Sequence, residues 1–127
     1  MAYTDALRGY AYAVHRRDGF RCVYCGLDGT TWPNWLYLSW DHLLPKGHPA
    51  RDDERYIMTA CRFCNEARNR TVFATEGLSP ADIVNLKRDA IAQVRGDYRD
   101  FWKAHVAPTD GTGLDLVDGT DPDETDS

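Results

Sequence analysis

Long apolar runs are missing from this sequence of 127 residues. No segment approaches the ~18 consecutive apolar residues that a membrane span requires, and no basic start leads into an apolar stretch of the kind found in signal peptides. We therefore expect a soluble, cytoplasmic protein without a membrane partner. The hydrophobic content of 43% is sufficient for one domain with a modest core.

Lysine and arginine are absent from residues 107–127, although the whole chain contains 15 of them. The same segment carries seven of the 20 acidic residues, namely Asp110, Asp115, Asp118, Asp121, Asp123, Glu124 and Asp126. We predict a single domain over residues 1–106, followed by a disordered acidic tail. Residues 1–106 contain 13 acidic and 15 basic residues, so that part has a net charge of +2 although the whole chain has a net charge of -5. The acidic total therefore does not exclude a nucleic-acid partner.

Cysteine is also scarce, and its four residues fall into two Cys-x-x-Cys pairs, Cys22 with Cys25 and Cys61 with Cys64. In a reducing cytosol, two such pairs bind a metal ion more often than they form disulfides. We predict one Zn²⁺ ion bound by all four thiolates, which would be structural because no coordination position remains for a substrate. A rubredoxin-like iron site is the weaker alternative, since only Cys25 is followed by glycine.

Two helices are predicted from the spacing of apolar residues. The first covers residues 4–15, with a cap at its first residue, and ends at Asp18-Gly19. The second covers residues 79–106, with Ser79 as its cap and Pro80 in its first turn. The second helix should pack across the body of the protein.

Two strands and a short helix are predicted between these two helices. Residues 35–41 are rich in aromatic and branched residues, which favours a strand that ends at His42. A second short strand covers residues 56–60, and the pattern from Cys61 onward favours a helix. Together these elements indicate a small α+β fold.

Four aromatic residues lie on or beside the first predicted strand: Trp32, Trp35, Tyr37 and Trp40. Such rings could stack on nucleobases. We favour the alternative that most of them fill a small core beside the zinc, since bulky rings near a metal framework usually pack.

Three segments of the sequence together resemble the HNH endonuclease family. They are Arg17-Asp18-Gly19 with Cys22-Val23-Tyr24-Cys25-Gly26, then Asp41-His42-Leu43-Leu44-Pro45, and then Thr59-Ala60-Cys61-Arg62-Phe63-Cys64-Asn65 with Arg68. The resemblance covers roughly residues 15–70, with the motif core over residues 17–70. It implies a treble-clef-like ββα-metal fold, in which two strands and a helix hold one divalent cation against the scissile phosphate.

The resemblance also implies a role for each matched residue. Asp41 and Asn65 would bind a catalytic Mg²⁺ or Mn²⁺ ion, and His42 would be the general base. These residue types suit such a site, because carboxylate and amide oxygens are hard ligands and a neutral imidazole can accept a proton near neutral pH. The predicted contacts to the nucleic-acid backbone are Arg62, Arg68 and Arg70.

One position departs from the family's pattern. The family's middle asparagine would fall at Tyr56, and no asparagine occurs between residues 43 and 60. Either the loop is held another way, by Asp52 or Asp53, or catalysis is weakened.

Two functions therefore stay open. The first is a metal-dependent endonuclease that nicks or cuts DNA to give 5′-phosphate and 3′-hydroxyl ends, and the second is a non-catalytic zinc module that binds nucleic acid or a protein. No second motif for reading DNA sequence is present, so we consider a homodimer or a specificity-conferring protein as a further partner. The other histidines are given no catalytic role: His48 is expected to be exposed, and His15 and His105 to be structural or solvent-facing.

Overall fold

A two-stranded antiparallel sheet forms the centre of the fold. Strand β1 (Leu38–His42) pairs with strand β2 (Ile57–Cys61) in a register that places Asp41 opposite Met58. Strand β2 is buried along most of its length, with Thr59 fully enclosed. Branched and small side chains fit this position, since they pack closely on a pleated surface.

The computed structural model describes residues 10–108. In that part of the chain, three α-helices accompany the sheet: α1 (Tyr10–Arg17), α2 (Arg62–Ala67) and α3 (Pro80–His105). The predicted α+β fold is therefore confirmed. The predicted cap at Thr4 and all but the first two residues of the predicted acidic tail, residues 107–127, lie outside the described residues. None of the helices within residues 10–108 is long and apolar enough to cross a membrane.

Hydrogen bonds attach helix α1 to strand β2. Nδ1 of the buried His15 lies 2.8 Å from Oγ1 of Thr59, and the Arg17 guanidinium donates to the Ile57 carbonyl. The helix ends at Arg17, and Gly19 follows with a φ of 67°, a conformation that glycine adopts without steric cost. The predicted stop at this glycine is confirmed.

Helix α3 begins as its sequence predicts. The Ser79 hydroxyl accepts a hydrogen bond from the Asp82 amide, and Pro80 lies in the first turn. The helix continues for 26 residues and buries Ile83 and Ile91 in the same core as the cysteines. It also packs against α2.

The first strand begins three residues later than predicted. Residues 35–37 belong to a 3-10 helix, Asn34–Tyr37, in which the Leu36 amide donates to the Pro33 carbonyl. Pro33 fixes its own backbone torsion and favours a turn here. The local turn therefore outweighs the strand preference of the aromatic residues.

The second strand also begins one residue later than predicted. Tyr56 belongs to a 3-10 helix, Glu54–Tyr56, which is capped by the Asp53 side chain accepting from the Arg55 amide. The Tyr56 carbonyl accepts a hydrogen bond of 2.8 Å from the Leu43 amide. The loop after β1 is therefore closed by a backbone hydrogen bond and by the Asp53 cap.

The aromatic residues around β1 do not form the core. Trp32 is 73% exposed and Tyr37 is 49% exposed, whereas Trp35 and Trp40 are half-buried. The prediction that most of these rings pack beside the zinc site is wrong for Trp32 and Tyr37. The buried core consists instead of aliphatic side chains, Tyr24 and three of the four cysteines.

Candidate functional site

The four cysteines lie at two turns that the fold brings together. Cys22 and Cys25 are in the turn after α1, where the Gly26 amide donates to the Cys22 carbonyl and Gly26 has a φ of 81°. Cys61 ends β2 and caps α2, because its sulfur accepts a hydrogen bond from the Cys64 amide. Each pair is therefore shaped by its own short turn.

The sulfur atoms have the spacing of a zinc site. The four ligand atoms all lie within 4.8 Å of one another, and the Sγ atoms of Cys25 and Cys61 are 3.8 Å apart. A tetrahedral ion with Zn–S bonds of about 2.3 Å requires sulfur–sulfur distances of about 3.8 Å. All four residues are free cysteines rather than disulfides. The cluster can therefore bind a zinc ion through all four sulfurs, as predicted.

Four crowded sulfurs favour a bound cation. Hydrogen bonding to Cys25 lowers the pKa of Cys22 to about 7, and hydrogen bonding to Cys22 lowers the pKa of Cys61. Hydrogen bonding to Cys22 and to other neighbouring sulfurs raises the pKa of Cys25 and Cys64, and burial and the Cys22 charge raise both further, so a compensating positive charge would favour their thiolate forms. Arg95 supplies part of that charge, with Nη2 lying 2.9 Å from the Cys64 sulfur.

A cleft of about 550 Å³ lies beside the cysteine cluster. The three predicted catalytic residues all line it, Asp41 and His42 from the end of β1 and Asn65 from α2. Neighbouring residues of a regular strand point to opposite faces, but β1 ends at His42 and the chain then leaves the sheet. The structure therefore brings together the residues that the sequence pattern grouped.

Two donors that sequence reasoning missed hold Asp41 in place. Its carboxylate is buried, and Oδ2 accepts hydrogen bonds of 2.6 Å from both the Tyr24 hydroxyl and the Lys87 ammonium. Burial and the Asp41 charge raise the pKa of Tyr24 far above its ordinary value, so its hydroxyl remains a donor. A signal for Lys87 was present, because it lies between Ile83 and Ile91 on the apolar face of α3, where a lysine is rarely buried unless it is paired.

His42 lies near both an anion and a cation. Its Nε2 is 3.4 Å from Oδ1 of Asp52, and Arg51 lines the same cleft. Burial and then the Arg51 charge lower the pKa of His42 below its ordinary value of 6.5, against the opposing effects of Asp52 and Asp41. The lowered pKa favours the neutral imidazole, which is the form able to accept a proton.

Asn65 is attached to β1 through its side-chain nitrogen. Nδ2 donates to Oγ of Ser39 at 3.0 Å and to the Trp40 carbonyl at 3.2 Å. The amide oxygen of Asn65 is therefore its candidate ligand atom. The candidate ligand atom of Asp41 is Oδ1, because Tyr24 and Lys87 both donate to Oδ2. These two oxygens are hard ligands of the kind that Mg²⁺ and Mn²⁺ prefer.

Basic side chains give the cleft a positive character. The basic residues that line it are Lys46, Arg51, Arg68 and Lys87. Of the three arginines predicted to contact DNA, Arg68 lies in the cleft and donates to the Ala90 carbonyl. Arg62 and Arg70 are exposed and lie outside it. Sequence reasoning missed Lys46 and Arg51, because their loop carries no motif.

The remaining histidines lie where they were predicted. His48 is exposed, and its Nδ1 accepts a hydrogen bond from the Ala50 amide. His15 is buried against Thr59. His105 is exposed at the end of α3, with its ring centre 4.5 Å from that of Phe101.

Comparison of the chain with protein-family models, with curated proteins and with solved structures gives no match. The functional interpretation therefore depends on the site itself. That site is a four-cysteine cluster beside a basic cleft that gathers Asp41, His42 and Asn65.

Proposed function

We propose that this protein is a metal-dependent endonuclease of the HNH class that hydrolyses DNA phosphodiester bonds. The observation that supports the proposal most is the position of Asp41, His42 and Asn65 in one basic cleft beside the cysteine cluster. An Asp-His pair at a strand end, followed by an asparagine on the next helix, agrees with the ββα-metal arrangement that the resemblance implies.

The cleft would hold Mg²⁺ or Mn²⁺ through Oδ1 of Asp41 and the amide oxygen of Asn65. Two protein ligands leave most positions of an octahedral ion to water and phosphate oxygens. When bound, the ion would stabilise the negative charge that develops on the phosphate and on the departing 3′ oxygen.

His42 would act as the general base. A proton on Nε2, the nitrogen that faces Asp52, makes Nδ1 the basic nitrogen that accepts a proton from the attacking water. The water oxygen bonds to phosphorus while the bond between phosphorus and the 3′ oxygen breaks. The departing 3′ oxygen takes up a proton from water, so the products carry a 5′-phosphate and a 3′-hydroxyl.

Arg51 and Lys46 would bind the phosphate before and during this reaction. Both residues line the cleft with His42. A guanidinium matches two phosphate oxygens at once, and an ammonium contributes a compact positive charge. These side chains would hold the scissile phosphate against the general base.

A non-catalytic zinc module that binds nucleic acid is the second candidate, and two observations favour it. The Lys87 ammonium already pairs with Asp41, and Tyr56 stands where the family has an asparagine. The exposed rings of Trp32 and Tyr37 would offer such a module surfaces for base stacking.

Cleavage of supercoiled plasmid distinguishes the two candidates. We expect the zinc-loaded protein to convert the plasmid to open-circular or linear forms in Mg²⁺ or Mn²⁺, and to leave it intact after EDTA treatment that does not change the zinc content. Nicks that DNA ligase seals without further enzymes would identify 5′-phosphate and 3′-hydroxyl ends. DNA binding without cleavage in either metal, by a protein that retains its zinc, would support the binding module instead.

A further inference from the structure

Lys87 contacts the proposed metal ligand Asp41 directly. Its ammonium nitrogen lies 2.6 Å from Oδ2, and the lysine and the aspartate are only 9% and 8% exposed. A buried ion pair holds both side chains in place, because either charge alone would be poorly solvated.

The lysine reaches this position from the middle of α3. It lies between the buried Ile83 and Ile91, and its ammonium nitrogen is 6.0 Å from the ring centre of Tyr24 and 5.8 Å from that of Phe73. The ammonium is therefore mostly buried, although Lys87 also lines the cleft, and water screens its charge only in part.

A divalent ion bound to Oδ1 of Asp41 would share one carboxylate with this ammonium. Lys87 then has two opposing effects on metal binding, since it orients the carboxylate but also repels the ion. Tyr24 donates to the same oxygen at 2.6 Å and would still orient Asp41 without the lysine. Because Tyr24 can still orient Asp41, we expect the repulsion between the ammonium and a divalent ion on the same carboxylate to be the larger effect.

We propose that Lys87 is a positioning residue whose charge keeps the affinity of the cleft for divalent metal low. This inference rests on the metal site of the proposed function and identifies the residue that sets its affinity. Removal of the charge should tighten metal binding by about tenfold or more. A lysine with a merely structural role would have the opposite effect, because its loss would disorder Asp41 and weaken binding.

Mn²⁺ binding to the zinc-loaded, full-length protein tests this inference, with free Mn²⁺ measured by electron paramagnetic resonance. Lys87→Met should bind Mn²⁺ at least about tenfold more tightly than the unaltered protein, whereas Lys87→Arg retains the charge and should stay within about threefold. Tyr24→Phe is the matched control, because it removes the other hydrogen bond to the same oxygen without changing the charge. It should also stay within about threefold.

Two further variants keep the test decisive. Lys87→Gln replaces Lys87→Met if the latter loses zinc or does not unfold cooperatively. Unchanged or weaker Mn²⁺ binding in a folded, zinc-loaded variant without the charge would overturn the inference and leave the proposed function standing. Asp41→Asn distinguishes failure of this inference from failure of the proposed function. If the unaltered protein and Asp41→Asn bind Mn²⁺ equally, Asp41 is not part of a metal site, and both proposals are wrong.

Discussion

The protonation of His42 is the single-residue property on which the proposed reaction depends most. Burial lowers its pKa and the neighbouring Arg51 lowers it further, while Asp52 and Asp41 act in the opposite direction. The neutral form that accepts a proton therefore persists to lower pH than in a histidine exposed to water. A cation bound to Asp41 would act in the same direction as Arg51.

We predict that the cleavage rate falls on the acidic side with an apparent pKa below 6.5, because protonation inactivates the base as the pH drops through its lowered pKa. Arg51→Met removes a charge that disfavours the imidazolium and should shift this acidic limb to higher pH. Asp52→Asn should shift it to lower pH. Single-turnover nicking rates between about pH 5 and pH 8 at saturating metal measure the limb. An unchanged apparent pKa of the acidic limb in both variants would contradict the assigned environment of His42.

At the level of elements, the cysteine cluster joins the turn after α1 to the junction of β2 and α2, and α3 contributes Arg95 to it. The Arg95 guanidinium donates to the Cys64 sulfur and lies 4.8 Å from the ring centre of Phe63. A donor to a zinc-bound sulfur stabilises the thiolate and fixes its orientation.

We predict that Arg95→Met weakens zinc binding by on the order of 1 kcal/mol, less than a fully buried hydrogen bond to a charged group contributes, because Arg95 is only half-buried. Zinc transfer to a colorimetric chelator should therefore be several-fold faster than in the unaltered protein. Gln93→Met is the control, since it makes a similar change at an exposed position of the same helix. Equal transfer rates in the two variants would show that Arg95 does not support the cluster.

The packing of α3 also determines whether Lys87 can reach Asp41. Ile83 lies one helical turn before Lys87 and is completely buried. We predict that Ile83→Ala lowers the free energy of unfolding by about 3 kcal/mol, because it leaves a cavity in the core. Leu86→Ala, at a position that is 40% exposed, should cost less than about 1 kcal/mol. Urea denaturation of the zinc-loaded variants measures both, and similar losses would contradict the packing of this helix.

At the level of the whole molecule, sequence predicted the features that depend on short spacings. The two cysteine pairs, the start of α3 at Ser79-Pro80 and the grouping of Asp41 with His42 each occupy a few neighbouring residues, and their local chemistry suffices to recognise them. Contacts across the fold could not be predicted in the same way. Lys87 is 46 positions from Asp41, and its apolar neighbours on the helix indicated only that it needs a partner.

Burial of the aromatic residues failed as a prediction for a related reason. Trp32 and Tyr37 have the large, mostly apolar side chains typical of core residues, but a chain of this size encloses too little volume to bury every large ring. Side chains that are distant in sequence compete for space in the core, and this competition decides which rings remain exposed. Local pattern carries no information about that competition, so only the three-dimensional structure shows that these two rings are exposed.

The most direct test of the proposed endonuclease compares His42→Ala with His48→Ala in Mg²⁺-dependent nicking of supercoiled plasmid. Both changes remove an imidazole from the same part of the chain, but only His42 lines the cleft with Asp41 and Asn65. With zinc content and Tm unchanged, we predict that His42→Ala slows nicking by at least about 100-fold and that His48→Ala stays within about twofold of the unaltered protein. Nicking by His42→Ala at the rate of the unaltered protein would contradict the proposed function of this cleft.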